Sequence, residues 1–263
     1  MTIQLSVCVE MIFTHQPFLK RIDSVAQAGL SAFEFWDWPT KDVDQINERR
    51  QRHNLDVAAF IMEPRGSLVH VNSPAELEDG VARSLVTAQM LDCRNLIVLV
   101  GRQVSQVSRQ AQHDNIVRGL KQVAPLAEEA GVTLLIEPLN VIVDHAGFYL
   151  SSSQEAFEIV QEVGSPNVKV LFDIYHQQIS EGNLIANLTE HLDLIGYLHA
   201  ADVPGRHEPG TGEINYANLL WQISQAGYEG FLGLEYRPSV DSFQSLTAIL
   251  DIVAMVNREK QRA

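Results

Sequence analysis

Four short apolar runs in the second half of this 263-residue chain lead into a group that can do chemistry: Glu137 in LLIEPLN, Asp173 in VLFDIYH, His199 in YLHAAD and Glu235 in GLEYRP. Taken singly, each has a plain structural reading. Glu137 before Pro138 can end a strand at the surface, and Asp173 can cap a following helix. Taken together they are not independent, because all four hold the same place after a short apolar run. An ionised carboxylate at the buried end of such a run is costly unless a cation or hydrogen bonds compensate it. One shared divalent ion would compensate all three acids, and the four residues are therefore expected to form a common metal site. Three oxygen donors and one nitrogen, without a thiolate, suit Mn²⁺, Mg²⁺ or Co²⁺ better than a structural Zn²⁺, and Zn²⁺ stays open as a further choice.

The elements that must position these groups repeat along the whole chain. β-Branched or apolar runs occur at 5–9, 32–36, 57–61, 95–100, 133–136, 168–172, 195–199 and 231–235. Between and after them lie stretches with helical periodicity at 16–28, 42–53, 74–91, 108–130, 153–163, 185–191, 216–226 and 242–256. Gly29, Gly131, Gly164 and Gly227 stand where helices should stop, Ser73–Pro74 reads as an N-cap followed by the first helical position, and Ser152 or Ser153 can cap the helix holding Glu155. Eight strands alternating with eight helices predict a single (β/α)₈ TIM barrel spanning 1–263 as one domain. A Rossmann sheet would need a glycine-rich turn after the first strand, where this chain reads VEMIFTHQP without a glycine. In a closed barrel the loops after the strands build the site, so the four strand-end groups converge on one mouth.

Composition narrows the partners. With 33 acidic against 19 basic residues the net charge is −14, which repels nucleic acid and anionic membrane alike. Cys8 and Cys93 both sit in apolar runs and read as reduced core residues. The first twenty residues lack the basic and long apolar regions of a secretory leader, and no apolar run approaches the ~18 residues that span a bilayer. A cytoplasmic location and a small-molecule substrate are expected.

The segments IEPLN, FDIYHQQISEGNL, YLHAADVPGRHEPGTGEINY and GLEYRP resemble the hydroxypyruvate isomerase group of the xylose-isomerase-like barrels, relatives of the ketose 3-epimerases of the tagatose and psicose type. The resemblance runs through the chain in strand order and is most specific from Asp202 to Tyr216. It implies Glu137, Asp173, His199 and Glu235 as ligands of one metal ion, with Glu137 and Glu235 also forming the proton-transfer pair. It also implies His176 and Arg206 as residues that hold substrate oxygens. Two departures bear on the substrate. The loop NVIVDHAGFYL is one residue longer than the NHFDIPGFHL pattern of hydroxypyruvate isomerases, and the position of His199 holds glutamine in some of those proteins and histidine in the epimerases.

The chemistry this predicts is proton transfer next to a carbonyl. An α-hydroxycarbonyl compound held by a divalent ion through both oxygens loses its carbon-bound hydrogen more readily, as an enediolate. One carboxylate takes that proton and a second returns it at the neighbouring carbon or on the opposite face. The expected reaction is hydroxypyruvate to tartronate semialdehyde, or the equivalent for a related small 2-oxo acid, with Arg206, Arg237 and Arg102 as candidate partners of the substrate carboxylate. The alternative is a ketose 3-epimerase, which needs a longer groove of hydroxyl partners. A non-catalytic sugar-binding barrel would be expected to lose Glu137 or Glu235, and an endonuclease on the same fold would want more strand-end histidines and a basic groove. Trp36, Trp38 and Phe35 read as core or as an apolar wall of the site, and Asp144, His145 and His207 as loop residues within reach of substrate. The GTG at 210–212 lacks the following Lys and Ser/Thr of a phosphate loop. Relatives of this kind pair as dimers or tetramers, and no stripe in the sequence identifies such an interface.

Overall fold

Alternation with a period of two organises the barrel interior. On the second strand Phe33 and Phe35 turn outward, where Phe35 stacks on Phe60 at 5.5 Å between centroids and meets the ring of Phe18 on the first helix. Their neighbours Ala32 and Glu34 must then face the axis. The same rule runs round the ring: Ala32, Ala59, Ile61, Ile97, Leu135, Leu171 and Tyr197 form an inner apolar cluster separate from the larger one between strands and helices. Two positions further along the inward faces come Glu137 after Leu135, Asp173 after Leu171 and His199 after Tyr197. An inward residue at a strand's C-terminal end is thereby a residue of the mouth.

The computed structural model describes residues 2–70 and 73–260. Eight parallel strands, β1 (Gln4–Cys8), β2 (Ala32–Phe35), β3 (Asp56–Ile61), β4 (Asn95–Val98), β5 (Thr133–Ile136), β6 (Val168–Asp173), β7 (Ile195–Ala200) and β8 (Phe231–Leu234), pair in chain order and close through β1 and β8. The fold is a (β/α)₈ TIM barrel, as the sequence predicts. The helices are α1 (Phe18–Gln27), α2 (Val43–His53), α3 (Pro74–Leu91), α4 (Arg109–Ala130), α5 (Ser153–Val163), α6 (Ile174–Ser180), α7 (Leu184–Glu190), α8 (Tyr216–Gln225), α9 (Ser242–Ser245) and α10 (Thr247–Lys260). Ser73 caps α3 ahead of Pro74, Ser152 rather than Ser153 caps α5, and Gly131 and Gly164 close α4 and α5 in the left-handed conformation.

Two differences from the sequence reading have local causes. The short helix α6 has no polar face to announce it, since IYHQ is buried throughout, and only the Asp173 cap marks its start. The final helical stretch is broken at Leu246 into α9 and α10. Cys8 and Cys93 are buried and unpaired. Among the described residues no helix is long and apolar enough to cross a membrane.

Candidate active site

Strand register sets the level of the site. Asp173 on β6 stands opposite His199 on β7, and His199 stands opposite Gly233 on β8, two residues before Glu235. All four predicted groups are buried. The His199 ring lies between the two glutamates, with Nδ1 3.4 Å from Glu137 Oε1 and 3.6 Å from Glu235 Oε2. Its other nitrogen, Nε2, is 2.9 Å from Oε1 of Glu34 on β2.

Asp173 divides its oxygens between two tasks. Oδ1 accepts from the backbone N–H groups of Tyr175 and His176 at 2.8 and 3.1 Å and starts α6. Oδ2 faces the mouth, 3.4 Å from His176 Nε2 and 3.8 Å from Arg206 Nη2. Helix cap and mouth acid, which the sequence offers as alternatives, are both realised. Since α6 begins at once, His176 is carried into the mouth with no loop between strand and helix.

Arg206 reaches the site from the loop after β7. The buried Asp202 carboxylate ties that loop, accepting from the N–H groups of Val203, Gly210 and Ile214 at 2.9, 2.8 and 3.1 Å. Arg206 itself takes a left-handed backbone conformation, φ 57°, and its Nη2 donates to Glu235 Oε2. Packing accounts for the last glycine of the GTG stretch: a Cβ on Gly212 would lie 2.0 Å from the Val203 carbonyl oxygen.

The charges are strongly interdependent. Burial pushes the Glu137 carboxyl up to about 7, a rise that His199 moderates and that Glu235 and Asp173 reinforce. For His199 burial opposes the charge, but the Glu34 and Glu235 carboxylates outweigh it and hold the imidazole well above its ordinary value. His176 moves the other way, driven down by burial and by Arg206. Burial disfavours the charged Arg206, yet Glu235 and Asp173 hold its guanidinium protonated.

These groups fit a hard divalent cation. Glu137, Asp173, His176 and Glu235 each bring a ligand atom to within 4.8 Å of the others. Glu34 Oε1, Glu137 Oε1, His176 Nε2 and both ring nitrogens of His199 are buried and make no hydrogen bond, a state that costs stability unless something partners them. Two imidazoles border the point where the carboxylates converge: His176 belongs to the tightest cluster, while Nδ1 of the predicted ligand His199 faces the two glutamates from the barrel floor.

Comparison with known proteins agrees with this fold. Residues 22–252 match the profile of the xylose isomerase-like TIM barrel family. The chain belongs to that family. It is 33% identical to the hydroxypyruvate isomerase of Escherichia coli (strain K12), over 90% of this chain and 94% of that protein. It is 32% identical to the 2-oxo-tetronate isomerase of Cupriavidus necator, over 88% and 91% of the two chains. A solved AP endonuclease of family 2 from Brucella melitensis superposes with a TM-score of 0.91 at 30% identity, covering 95% of this chain and 99% of that one. Within the xylose isomerase-like barrels the chain stands with the hydroxypyruvate isomerase group, and it is an isomerase.

The family's mouth is here a cavity of about 180 Å³. Glu137, His145, His176, Arg206 and Glu235 line one side, and Trp36, Ile61, Ile97 and Leu99 the other. Of the loop residues weighed from sequence, His145 lines the cavity, whereas Asp144 supports it by accepting from Asn140 and Tyr175. Arg102, Arg237 and His207 are not among the lining residues; Arg102 donates to the Ala146 carbonyl, and His207 contacts the Arg237 carbonyl oxygen at 2.8 Å. The second lining arginine is Arg65, from the loop after β3, ion-paired with Asp37. Trp36 belongs to the wall and donates from Nε1 to Glu235 Oε1 at 3.0 Å, while Phe35 points away into the outer core.

Sequence reasoning missed Glu34, Asn140 and Arg65. For Glu34 the signal was present: in AFEFW the two phenylalanines share one face, so the acid between them must share the other with Ala32 and Trp36. Arg65 and Asn140 lie on loops, where no periodicity marks the direction of a side chain.

Proposed function

We propose that this isomerase is a divalent-metal enzyme that interconverts a small 2-oxo acid and its aldehyde isomer, with hydroxypyruvate to tartronate semialdehyde as the favoured reaction. The observation that carries the reading is the pair of buried glutamates from β5 and β8, facing one small cavity with the His199 Nδ1 between them. Glu137, Asp173, His199 and Glu235 would hold the ion, which when bound acidifies the hydrogen next to the substrate carbonyl and stabilises negative charge on the two oxygens.

Everything else falls to the chain's own side chains. One glutamate removes the hydrogen from C3 of hydroxypyruvate and the C2 carbonyl electrons pass to oxygen as the enediolate forms; a proton is then returned to C2, the C3 hydroxyl gives up its proton as C3 becomes the aldehyde carbon, and the C2 oxygen takes up a proton to become the hydroxyl. The second glutamate, across the cavity, is placed to return that proton. Without the ion, burial raises the proton affinity of Glu137, and a bound cation would draw it down again. Trp36 and Arg206 both donate to Glu235 and fix its orientation. His176 and Arg206 face the space where substrate oxygens would sit, and Arg65 adds a second cation for a carboxylate. The apolar wall excludes water and strengthens each of these interactions.

The small cavity and its two arginines favour a short acid over a ketohexose. The likeness to the Brucella protein raises a nuclease reading, but a chain of net charge −14 with a carboxylate-lined mouth presents the wrong field to a phosphodiester backbone. The test is a metal-supplemented screen in deuterated water across hydroxypyruvate, tartronate semialdehyde, 2-oxo-tetronates and C5–C6 ketoses, with exchange read by NMR. Exchange confined to the 2-oxo acids is expected. Exchange with ketoses alone would move the assignment to a 3-epimerase, and none with any compound would overturn it.

A further inference from the structure

The two histidines of the mouth are each held from behind by a residue outside the predicted ligand and substrate sets, and the two holders differ in kind. Behind His199 stands Glu34, buried on the barrel floor, with Oε1 2.9 Å from Nε2 in a charge contact whose two atoms lie off the hydrogen-bond direction. Its other oxygen, Oε2, accepts from the phenol of Tyr197, so the carboxylate cannot swing away. Gly233 on β8 makes room for the pair: a Cβ there would lie 2.6 Å from both Glu34 Oε2 and His199 Cδ2. Behind His176 stands Asn140, fully buried, whose Nδ2 lies 2.6 Å from Nδ1. The orientation of that amide is set by its own partners. Oδ1 accepts from the backbone N–H groups of Val143 and Asp144 at 2.9 and 3.2 Å, and Nδ2 donates to the Asp144 carboxylate at 2.9 Å.

A carboxylate accepts a proton and an amide NH₂ donates one, so the consequences for the two rings are opposite in position. To ligate a metal His199 must give up its extra proton, and in a neutral imidazole only one nitrogen carries hydrogen. A lone pair on Nε2 of His199 would be repelled by the Glu34 oxygen 2.9 Å away, so Nε2 keeps its hydrogen and Nδ1 turns a lone pair towards Glu137 and Glu235. Facing the Asn140 amide, Nδ1 of His176 must be the acceptor, and Nε2 turns an N–H towards the mouth. We infer that Glu34 and Asn140 are positioning residues that assign the two imidazoles their parts: the same tautomer, presented from opposite ends, makes His199 a metal ligand and His176 a hydrogen-bond donor to a substrate oxygen. Tyr197 is the third member, holding Glu34 in place. The inference rests on the metal reading above and needs no particular substrate.

Ring ¹⁵N NMR on histidine-labelled protein loaded with Zn²⁺, a diamagnetic probe, reads the tautomers directly. Hydrogen on Nε2 of both His199 and His176, with Nδ1 of His199 alone shifted by metal, is the expected result. Metal shift on His176 instead, or hydrogen on Nδ1 of either ring, would overturn it. Mn²⁺ affinity, followed by the EPR signal of the free ion, supplies the second arm. Glu34→Leu should weaken binding about 10- to 100-fold, and Asn140→Leu should leave affinity within about threefold. An unchanged affinity in Glu34→Leu, or an equal loss in Asn140→Leu, would refute the division of roles. Should Glu34→Leu fail to fold, the ¹⁵N spectrum of the unaltered Zn²⁺-loaded protein decides alone, with hydrogen on His199 Nε2 supporting the inference and hydrogen on Nδ1 refuting it. Both arms stand if the substrate screen fails, so the two readings fail separately.

Discussion

The two halves of the barrel present unlike faces to the same cavity. From β1–β4 come Trp36, Ile61, Ile97 and Leu99, an apolar wall whose one cation, Arg65, is paired with Asp37. From β5–β8 and the segments after them come Glu137, His145, His176, Arg206 and Glu235, with Asp173 and His199 buried beside them. Barrel closure gives all eight strand ends equal access to the mouth, so the asymmetry belongs to the sequence and not to the architecture. The lesson is that the polar half needs the apolar one. In the proposed reaction the carboxylates act on a proton, and an apolar wall lowers the local dielectric and strengthens their interactions with substrate. The halves are also joined by contacts from β2 and the residue after it to the far side: Trp36 to Glu235, Glu34 to His199, and the Tyr197 phenol to Glu34.

The sharpest way to break this comparison is to disarm the polar half. Glu137→Gln and Glu235→Gln should each lower turnover by two or more orders of magnitude with an unchanged circular dichroism spectrum, and chelation followed by dialysis should do the same until a divalent ion is restored. Near-normal turnover in either variant would end the proton-pair assignment. A smaller effect is expected from the wall. Trp36→Phe keeps the apolar surface but removes the N–H that holds Glu235, and the loss of one hydrogen bond to a carboxylate, about 1.5–3 kcal/mol, should lower kcat by roughly 10- to 100-fold. An effect of less than twofold would mean that the wall acts by shape alone.

The mildest effect concerns pH. Glu137 ionises in the unfolded chain near its ordinary value of 4.5 but in the fold only at about 7. As pH rises through this window the unfolded state loses its proton first and is favoured, so the metal-free protein should lose stability between about 4.5 and 7. Glu137→Gln removes this term. The melting temperature of the chelated variant should therefore gain on the wild type by a few degrees from pH 5 to pH 7, and a constant difference across that range would show that the carboxylate is already ionised in the fold.

Much of this site was legible in the sequence, and for one reason. A strand has a period of two, so a chemically active residue two positions after an inward apolar one must also face inward. LLIEP, VLFDIYH and YLHAAD therefore announced Glu137, Asp173 and His199, and AFEFW announced Glu34 to anyone who applied the rule to the first half. Loops follow no such rule. Arg102 and Arg237 look from sequence like equal candidates to bind a carboxylate, yet the fold turns both away from the cavity and brings in Arg65. The reading of Asp173 was incomplete in another way, since a carboxylate has two oxygens and can cap a helix with one while presenting the other.

By itself, then, the sequence determined the alternating architecture, the four strand-end groups and their shared end of the barrel, because periodicity and strand order are local properties of the chain. Only the tertiary structure decided what stands behind each group. Glu34 and His199 are 165 positions apart, and only the packing of β2 and β7 inside the closed barrel brings them within 2.9 Å. Which nitrogen of an imidazole faces the mouth depends on the partner at its other end, and closure of the barrel, not proximity along the chain, supplied that partner.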